Sequence, residues 1–340
     1  MAVLGASWVL GRVFSPLVWL LAWLSTLTAG GKDLSQLVEK VTWSGDSKQV
    51  ARKLTFSIAT RSTDRFLPKV TINEGDSVLF RDGDRTLFGG PVFDIEKSAS
   101  GNLTTFTAFD LMFYINNSDI SKIFDDTPEA ITAWICSHLG VPFGSAAPTG
   151  IKVYLPWLGK KAYEAIMAAY TTASRQNGKK YIPLMQNVNQ VCVIERGTLC
   201  GVVLDGGYNL TEATYKTSLQ KLVDRVIVTD KNGNQTSVVE DAGAQSKYGV
   251  VQRVYKQEEG EDTASEAKAL LHIMDQSATV TATSDTRAVS GYAIAVQEAT
   301  TGLYGKFYIE SDTHTFEDGK EMMQLTLAFS NMMDEKEGGT

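Results

Sequence analysis

Two glycine-bounded stretches, Gly75–Gly89 and Gly291–Gly305, are equally long and carry the same apolar marks. Val78 meets Ile294, Phe80 meets Val296, Leu87 meets Leu303 and Phe88 meets Tyr304. Farther on, Ala108-Phe109 followed by Met112 recurs as Ala328-Phe329 followed by Met332. An internal repeat limits the fold more than composition does, because each copy must find a similar place to bury the same face. The second copy is longer between Gly305 and Ala328, and its extra residues fall around Asp312 to Lys320. They take the hairpin-loop position that Lys97 to Leu103 fills in the first copy, where loops tolerate polar insertions.

The repeated unit reads as β. Leu54, Phe56 and Ile58 alternate with Thr55 and Ser57, the period of a half-buried strand. Val78 to Phe80 and Leu87 to Ile95 flank the turn Asp82-Gly83-Asp84, and Thr104 to Phe113 alternates again. The period then changes. Thr127-Pro128-Glu129 is a helix start, with a capping hydroxyl, a proline in the first turn and an acid at the positive dipole end. Ile131, Trp134, Ile135 and Leu139 share one face, so Trp134 is expected in the core. A second helix is expected over Lys160 to Gln176, stopped by Gly178. After Tyr181 the β pattern returns. Asn232-Gly233 marks a hairpin between Val223–Thr229 and Gln235–Val239. Thr263 with Glu266 predicts a capped helix reaching Asp275. Strand patterns fill Ala278–Thr283, Tyr292–Val296, Phe307–Ile309 and Met323–Phe329.

Net charge is -7, with 32 Lys and Arg against 39 Asp and Glu. That balance disfavours a broad nucleic-acid or anionic-membrane surface, and no sequence-specific nucleic-acid binding is expected. Three cysteines, Cys136, Cys192 and Cys200, form no C-x-x-C and fit free thiols. Residues 1–31 stand apart: Val13 to Leu27 is apolar behind Arg12. Three readings stay open for this extension: a secretory leader cleaved near Gly30, a hydrophobic helix that docks on a partner, or an upstream start.

The stretch Tyr308 to Gly319 holds the best metal candidate, His314 with Asp312 and Glu310. Residues two apart in a strand share a side. The other two histidines, His138 and His272, stand far off, and no zinc motif is present. A solvated turn or inter-chain contact is therefore the expected role, with no metal. Asp82-Gly83-Asp84 and the Asp230–Asn234 loop lack the bidentate glutamate of a calcium loop. No phosphate-binding or nucleophile-elbow motif is present, so no catalytic residue and no cofactor is nominated. The sequons at Asn102, Asn116, Asn209 and Asn234 matter only in a secreted eukaryotic chain. The acidic run Glu258 to Asp262 reads as a solvated loop.

Several stretches together resemble one family. Val41-Thr42-Trp43-Ser44-Gly45-Asp46, followed by Arg52 and Leu54, precedes Leu87-Phe88-Gly89-Gly90 and Ala108-Phe109-Asp110. Later come Tyr248 to Val251, and Gly302 to Ile309 running into Ser311-Asp312-Thr313-His314-Thr315. These resemble the XkdQ/YqbQ family of tail proteins from PBSX-type prophages and contractile bacteriocins, over roughly Asp33 to Glu335. The resemblance implies the baseplate hub of a contractile tail: a mainly β fold with an α insert (α+β), in which two related barrel-like β modules flank a helical region. The division it suggests is a hydrophobic extension over residues 1–31, a first barrel-like module over 32–118, a helical α/β connection over 119–215, a second module with one helix over 216–334, and a polar tail over 335–340.

It also implies a homotrimer that adapts a sixfold tail tube to a threefold spike. The implied partners are tail tube protein, spike protein, tape-measure protein and a LysM-type baseplate protein. The implied location is a virion or tail particle assembled in the bacterial cytoplasm. Trp43, Gly45, Gly89, Gly305, Asp312 and His314 are the structural or interface candidates, with Asp312 and His314 carried over as residues of a hairpin. The alternative is a secreted β-rich binding protein with a cleaved N-terminal leader. An enzyme such as a wall hydrolase stands third, because the chain ends soon after its second β stretch.

Overall fold

Alternating apolar residues become strands in both the first and last thirds of the chain. The computed structural model describes residues 25–48, 50–59, 69–97, 103–257 and 263–338. The first part supplies β1 (Ser25–Ala29), β2 (Lys32–Asp33), β3 (Val38–Asp46), β4 (Lys53–Ala59), β5 (Ser77–Asp82), β6 (Arg85–Lys97) and β7 (Leu103–Phe109). The middle part holds α1 (Met112–Asn117), β8 (Asp119–Asp126), α2 (Pro128–His138), β9 (Phe143–Ala146), β10 (Val153–Lys161), α3 (Ala162–Asn177), β11 (Tyr181–Gln186) and β12 (Gln190–Glu195). The last part begins with β13 (Leu199–Asp205) and β14 (Leu210–Ser218). It continues with β15 (Arg225–Thr229), β16 (Gln235–Glu240), α4 (Ala242–Tyr248), β17 (Gln252–Lys256) and α5 (Thr263–Ala269). It closes with β18 (Asp275–Thr283), β19 (Ala293–Glu298), β20 (Leu303–Glu317) and β21 (Lys320–Ala328).

The fold is mostly β with few helices, built on one large curled sheet ordered β14-β18-β21-β20-β3-β4-β7-β6-β5-β1-β2, with β19 and β13 branching from β20. In the first half, β3 pairs β4, β4 pairs β7, β7 pairs β6 and β6 pairs β5. In the second, β14 pairs β18, β18 pairs β21, β21 pairs β20 and β20 pairs β19. All eight contacts are antiparallel. The irregularities also match: β3 slips against β4 between Val38 and Lys40, and β14 against β18 between Leu210 and Glu212. β6 bulges at Phe93 and β20 at Glu310. Strand facing corrects the alignment read from sequence: Phe88 is buried in β6 whereas Tyr304 is exposed in β20, so the two do not correspond. Thr104, Phe106 and Ala108 point inward in β7, as Met323, Leu325 and Leu327 do in β21, so Leu327 rather than Ala328 answers to Ala108.

Among the described residues four apolar cores follow from this pattern. Leu54, Phe56, Phe80, Phe88 and Phe106 fill the first β half, and Val280, Ile294, Val296, Leu325 and Leu327 the second. α1, α2 and α3 bury Ile115, Ile131, Ile135, Ile166 and Tyr170 against Leu155 and Trp157 of β10. Two helix signals behave as read. Thr127 caps α2 by accepting from the Ala130 amide, and Gly178 ends α3 at φ +72°. Trp134 is only half-buried at the edge of that core. A smaller lobe packs Val226 and Val228 of β15 against Ala267 of α5, beneath the hairpin whose turn holds Asn232-Gly233.

Several expectations need correction. The alternation expected to Phe113 stops at Phe109, because Asp110 turns the chain and its Oδ1 accepts from the Met112 amide to start α1. The helix expected over Thr263–Asp275 ends at Ala269. His272 is bridged to Val223, and Asp275 already belongs to β18. The boundary expected at 215/216 falls inside β14, and β13 lies in the second half of the sheet through its pairing with β19. The acidic run Glu258 to Asp262 lies outside the described residues.

The expected extension over 1–31 also changes. Residues 1–24 lie outside the described residues, but β1 pairs along β5 from Ser25↔Asp82 to Ala29↔Val78. Leu27 and Ala29 are buried in the first core. Processing near Gly30 would cut this strand away. A chain starting at residue 32 should therefore be less stable than one starting at residue 25 by about 3 kcal/mol or more, the cost of emptying a buried Leu site and baring a strand edge. Urea denaturation of the two variants measures this.

Candidate functional site

The candidate site lies where the two halves of the sheet meet. β20 is long enough to serve three neighbours. Leu303–Tyr308 pairs with β19, and Ser311–Glu317 pairs on that same edge with β3, while β21 runs along its other edge. The residues that looked like a loop insertion are therefore the strand extension that joins the halves. His314 stands opposite Trp43, Thr313 opposite Ser44 and Asp312 opposite Gly45. Asp312 and His314 are 1% and 0% exposed, so the expected solvated turn is wrong. The turn comes later, at Asp318-Gly319, where both residues have positive φ. The charge misled because Asp312 finds its cation far away in sequence.

That cation is Arg52, just before β4. Its Nη1 donates to Asp312 Oδ1 at 3.0 Å and its Nη2 to Asp312 Oδ2, a bidentate pair out of solvent. The Ser290 amide donates to Asp312 Oδ1 at 2.6 Å. The Arg52 guanidinium carbon lies 3.9 Å from the Trp43 ring centroid, and the Trp43 and His314 rings are 5.2 Å apart. The cluster stacks in the order histidine, indole, guanidinium, with the carboxylate gripping the last. Gly45 makes room for it. A Cβ there would fall 2.8 Å from Arg52 Cζ and 3.0 Å from Ser290 Oγ.

His314 is internally satisfied. Its Nε2 lies 3.1 Å from the Ala288 carbonyl and its Nδ1 2.8 Å from Ser284 Oγ. A carbonyl only accepts, so Nε2 carries the proton and Nδ1 accepts from the serine. Burial pushes the imidazole below its ordinary pKa despite Asp312 beside it, which agrees with this neutral form. Asp110 ties the joint to α1: its carboxylate accepts from the Arg52 amide at 3.1 Å and the Met112 amide at 3.0 Å. Burial pushes that carboxyl up to about 7 against these hydrogen bonds.

The remaining candidates are scattered. Gly89 sits in β6 beneath the β11–β12 turn, where a Cβ would approach Val188 Cγ1 to 2.8 Å. Gly305 lies in β20 with φ +123° and open space around it, so its need for glycine is conformational. Glu310 occupies the β20 bulge and lends its carbonyl to the Ser47 amide. Among the described residues no three His, Cys, Asp or Glu side chains gather to hold a metal, and no helix is long and apolar enough to cross a membrane. A cleft of about 790 Å³ opens beside the joint, lined by Arg52, Arg85, Leu184, Met185, Arg287 and Tyr292 among others. Asp312 and His314 spend their strong hydrogen bonds on the protein itself, which is the chemistry of a joint. Arg52 and Asp110 were within the stretches that carry the resemblance, but nothing in their spacing marks Arg52 as the partner of Asp312 or Asp110 as the acceptor of the Arg52 amide.

A protein family described as YQBQ-like matches residues 41–328. The phage-like element PBSX protein XkdQ of Bacillus subtilis (strain 168) is 24% identical over 315 residues, which cover 89% of this chain and 95% of that protein. Among solved structures, the 43 kDa tail protein of prophage MuSo2 from Shewanella oneidensis is similar with TM-score 0.69 and 15% identity, over 89% of this chain and 96% of that one. A component of the E. coli type VI secretion system, described as structurally similar to the T4 bacteriophage tail proteins gp27 and gp5, is similar with TM-score 0.54 and 12% identity, over 92% and 79%. At these identities the structures share the fold.

Two outcomes test the joint. Asp312→Asn leaves Arg52 buried without its counter-charge and should cost about 3–5 kcal/mol, whereas replacing both partners, Arg52→Met with Asp312→Leu, should cost less than the single change. Chemical denaturation of the variants decides. The second outcome concerns pH. The unfolded His314 takes a proton below about pH 6.5 while the folded ring resists it, so His314 makes stability fall as pH drops through that value. Asp110 does the reverse: the folded carboxyl keeps its proton up to about 7, while the unfolded one loses it near 3.8, so its contribution falls as pH rises across that window. Melting curves from pH 4 to 8 should lose the first slope in His314→Gln and the second in Asp110→Asn.

Proposed function

The chain belongs to the YQBQ-like family, and from that premise we propose that it is a structural protein of a contractile phage tail or phage-tail-like particle, placed at the baseplate hub. There it adapts the sixfold tail tube to the threefold spike. Support comes first from the recurrence of strand order β3-β4-β7-β6-β5 as β14-β18-β21-β20-β19, bulges included. Two related β modules in one chain give six similar units in a homotrimer, which is what a sixfold-to-threefold adaptor needs. The likeness to the MuSo2 tail protein and to the secretion-system component described as resembling gp27 and gp5 supports the same reading.

The partners in this reading are tail tube protein above, spike protein below, and the tape-measure and LysM-type baseplate proteins beside them. The two β modules flank the helical part built on α1, α2 and α3, and the β15–β17 lobe is an insertion in the second module. No catalysis is part of this role.

Mass photometry near micromolar concentration should find a species of about three times the 37.1 kDa chain, alone or with tube or spike protein added. A map of an assembled tail should show three copies on its axis. A strict monomer that lies off the axis, or six copies per particle, removes the hub reading.

A further inference from the structure

We propose that a second copy of this chain docks its β14 against the free edge of β6 at Asp94–Lys97, repeating between copies the β3·β20 junction found within each chain. The proposal rests on the homotrimer reading and names the surface that closes the ring.

The strand equivalences carry it. Trp43↔Leu54 in β3·β4 corresponds to Tyr215↔Ala278 in β14·β18, each following the matched slip. Ile95↔Phe106 in β6·β7 corresponds to Asp312↔Leu325 in β20·β21, each just past the matched bulge. Inside the chain, β3 and β20 pair. Their counterparts β14 and β6 do not meet, and among the described residues neither has a strand on the corresponding edge: β14 ends the sheet, and β5 pairs with β6 only from Arg85 to Pro91. Both edges present unpaired backbone donors and acceptors, a template for another strand. The same edge is used within the chain and left open at its two ends, which suits a heterologous contact that closes on itself.

The side chains fit one register. Transferring Asp312↔Gly45, Thr313↔Ser44 and His314↔Trp43 sets Ile95 opposite Thr217, Glu96 opposite Lys216 and Lys97 opposite Tyr215. Glu96 and Lys216 are exposed and have no ion-pair partner among the described residues. A slip by one in one direction would place Lys97 against Lys216, where like charges directly opposite are unfavourable, and in the other would leave Lys216 opposite Ile95 with no counter-charge. The junctions also differ in a way that suits their timing. Ile95 and Gln276 stand where Asp312 and Arg52 stand within the chain, and Gln276 Nε2 donates to the Tyr215 hydroxyl at 2.8 Å. The junction made during folding carries a buried ion pair. The one made during assembly carries none, so a separate copy strands no charge.

The test uses the full chain with Cys200→Ser, since Cys136 and Cys192 are buried. Directly opposed Cα atoms across an antiparallel pair are about 4.5–5.5 Å apart, within disulfide reach. Mild oxidation of Glu96→Cys with Lys216→Cys should give a covalent trimer on denaturing gels, while each single change and the off-register pair Glu96→Cys with Thr214→Cys should not. Glu96→Lys or Lys216→Glu alone should reduce the trimer by about tenfold or more. The double reversal should restore it, because every contact again holds one charge of each sign. If the unaltered chain is a trimer by mass but Glu96→Cys with Lys216→Cys links no better than the off-register pair, or the double reversal fails to restore assembly, the strand contact is wrong and the hub reading stands. If the unaltered chain forms no trimer even with tube or spike protein, both fall.

Discussion

Arg52 and Asp312 meet in the interior with Trp43 across the guanidinium and the Ser290 amide on the carboxylate. Removing both charges from water is expensive, and the bidentate geometry and added donor offset part of that cost. What the pair contributes above all is register. A slip of one residue between β3 and β20 would turn Asp312 and His314 toward the opposite face and put Thr313 against Arg52. Gly45 is part of the same requirement, because any side chain there would occupy the space of the guanidinium. The cores on either side depend on this alignment, since Phe316 of β20 packs among the first-half residues, with its ring 4.9 Å from that of Phe80.

The joint also reaches the helical part. Arg52 gives its amide to Asp110, which in turn starts α1. One short run of residues therefore sets the relation of β3 to β20 through its side chain and of β4 to α1 through its backbone. His314 adds a neutral, doubly bonded wedge beside the ion pair, fixing the chain near Ala288 and Ser284. In such a seam charges lock direction while aromatic rings fill volume.

Local rules made much of this legible. The alternation of Leu54, Phe56 and Ile58, the Thr127 cap, the Gly178 stop and the Asn232-Gly233 hairpin each depend on neighbours close in sequence, and each lies where the pattern put it. The repeat was legible only in part: Val78 with Ile294 and Phe80 with Val296 are buried in both stretches, but Phe88 is buried where Tyr304 is exposed. What escaped depends on distant partners. Asp312 and His314 resemble a turn until Arg52 is known to face them, and a charge in a strand gives no local sign that it is buried. Ser25–Ala29 was hidden by the apolar run before it, which made a strand look like the tail of a leader. The helix begun at Thr263 was overextended because helical propensity says nothing about β18 claiming Asp275 for the sheet.

The ladder β20·β3 joins residues 260 apart in the Arg52–Asp312 contact. During synthesis the first half of the sheet emerges long before the strand that seals it. Until then β3 has an open edge, Trp43 lacks its His314 neighbour and Arg52 has no carboxylate to hold. Contacts of such separation form late, and the intermediate that waits for them is the species most exposed to wrong pairing. The seam thus couples the two ends of the chain in time: the first half of the sheet gains its closing strand only when β20 has been made, so a ribosome that stops early leaves β3 with an open edge.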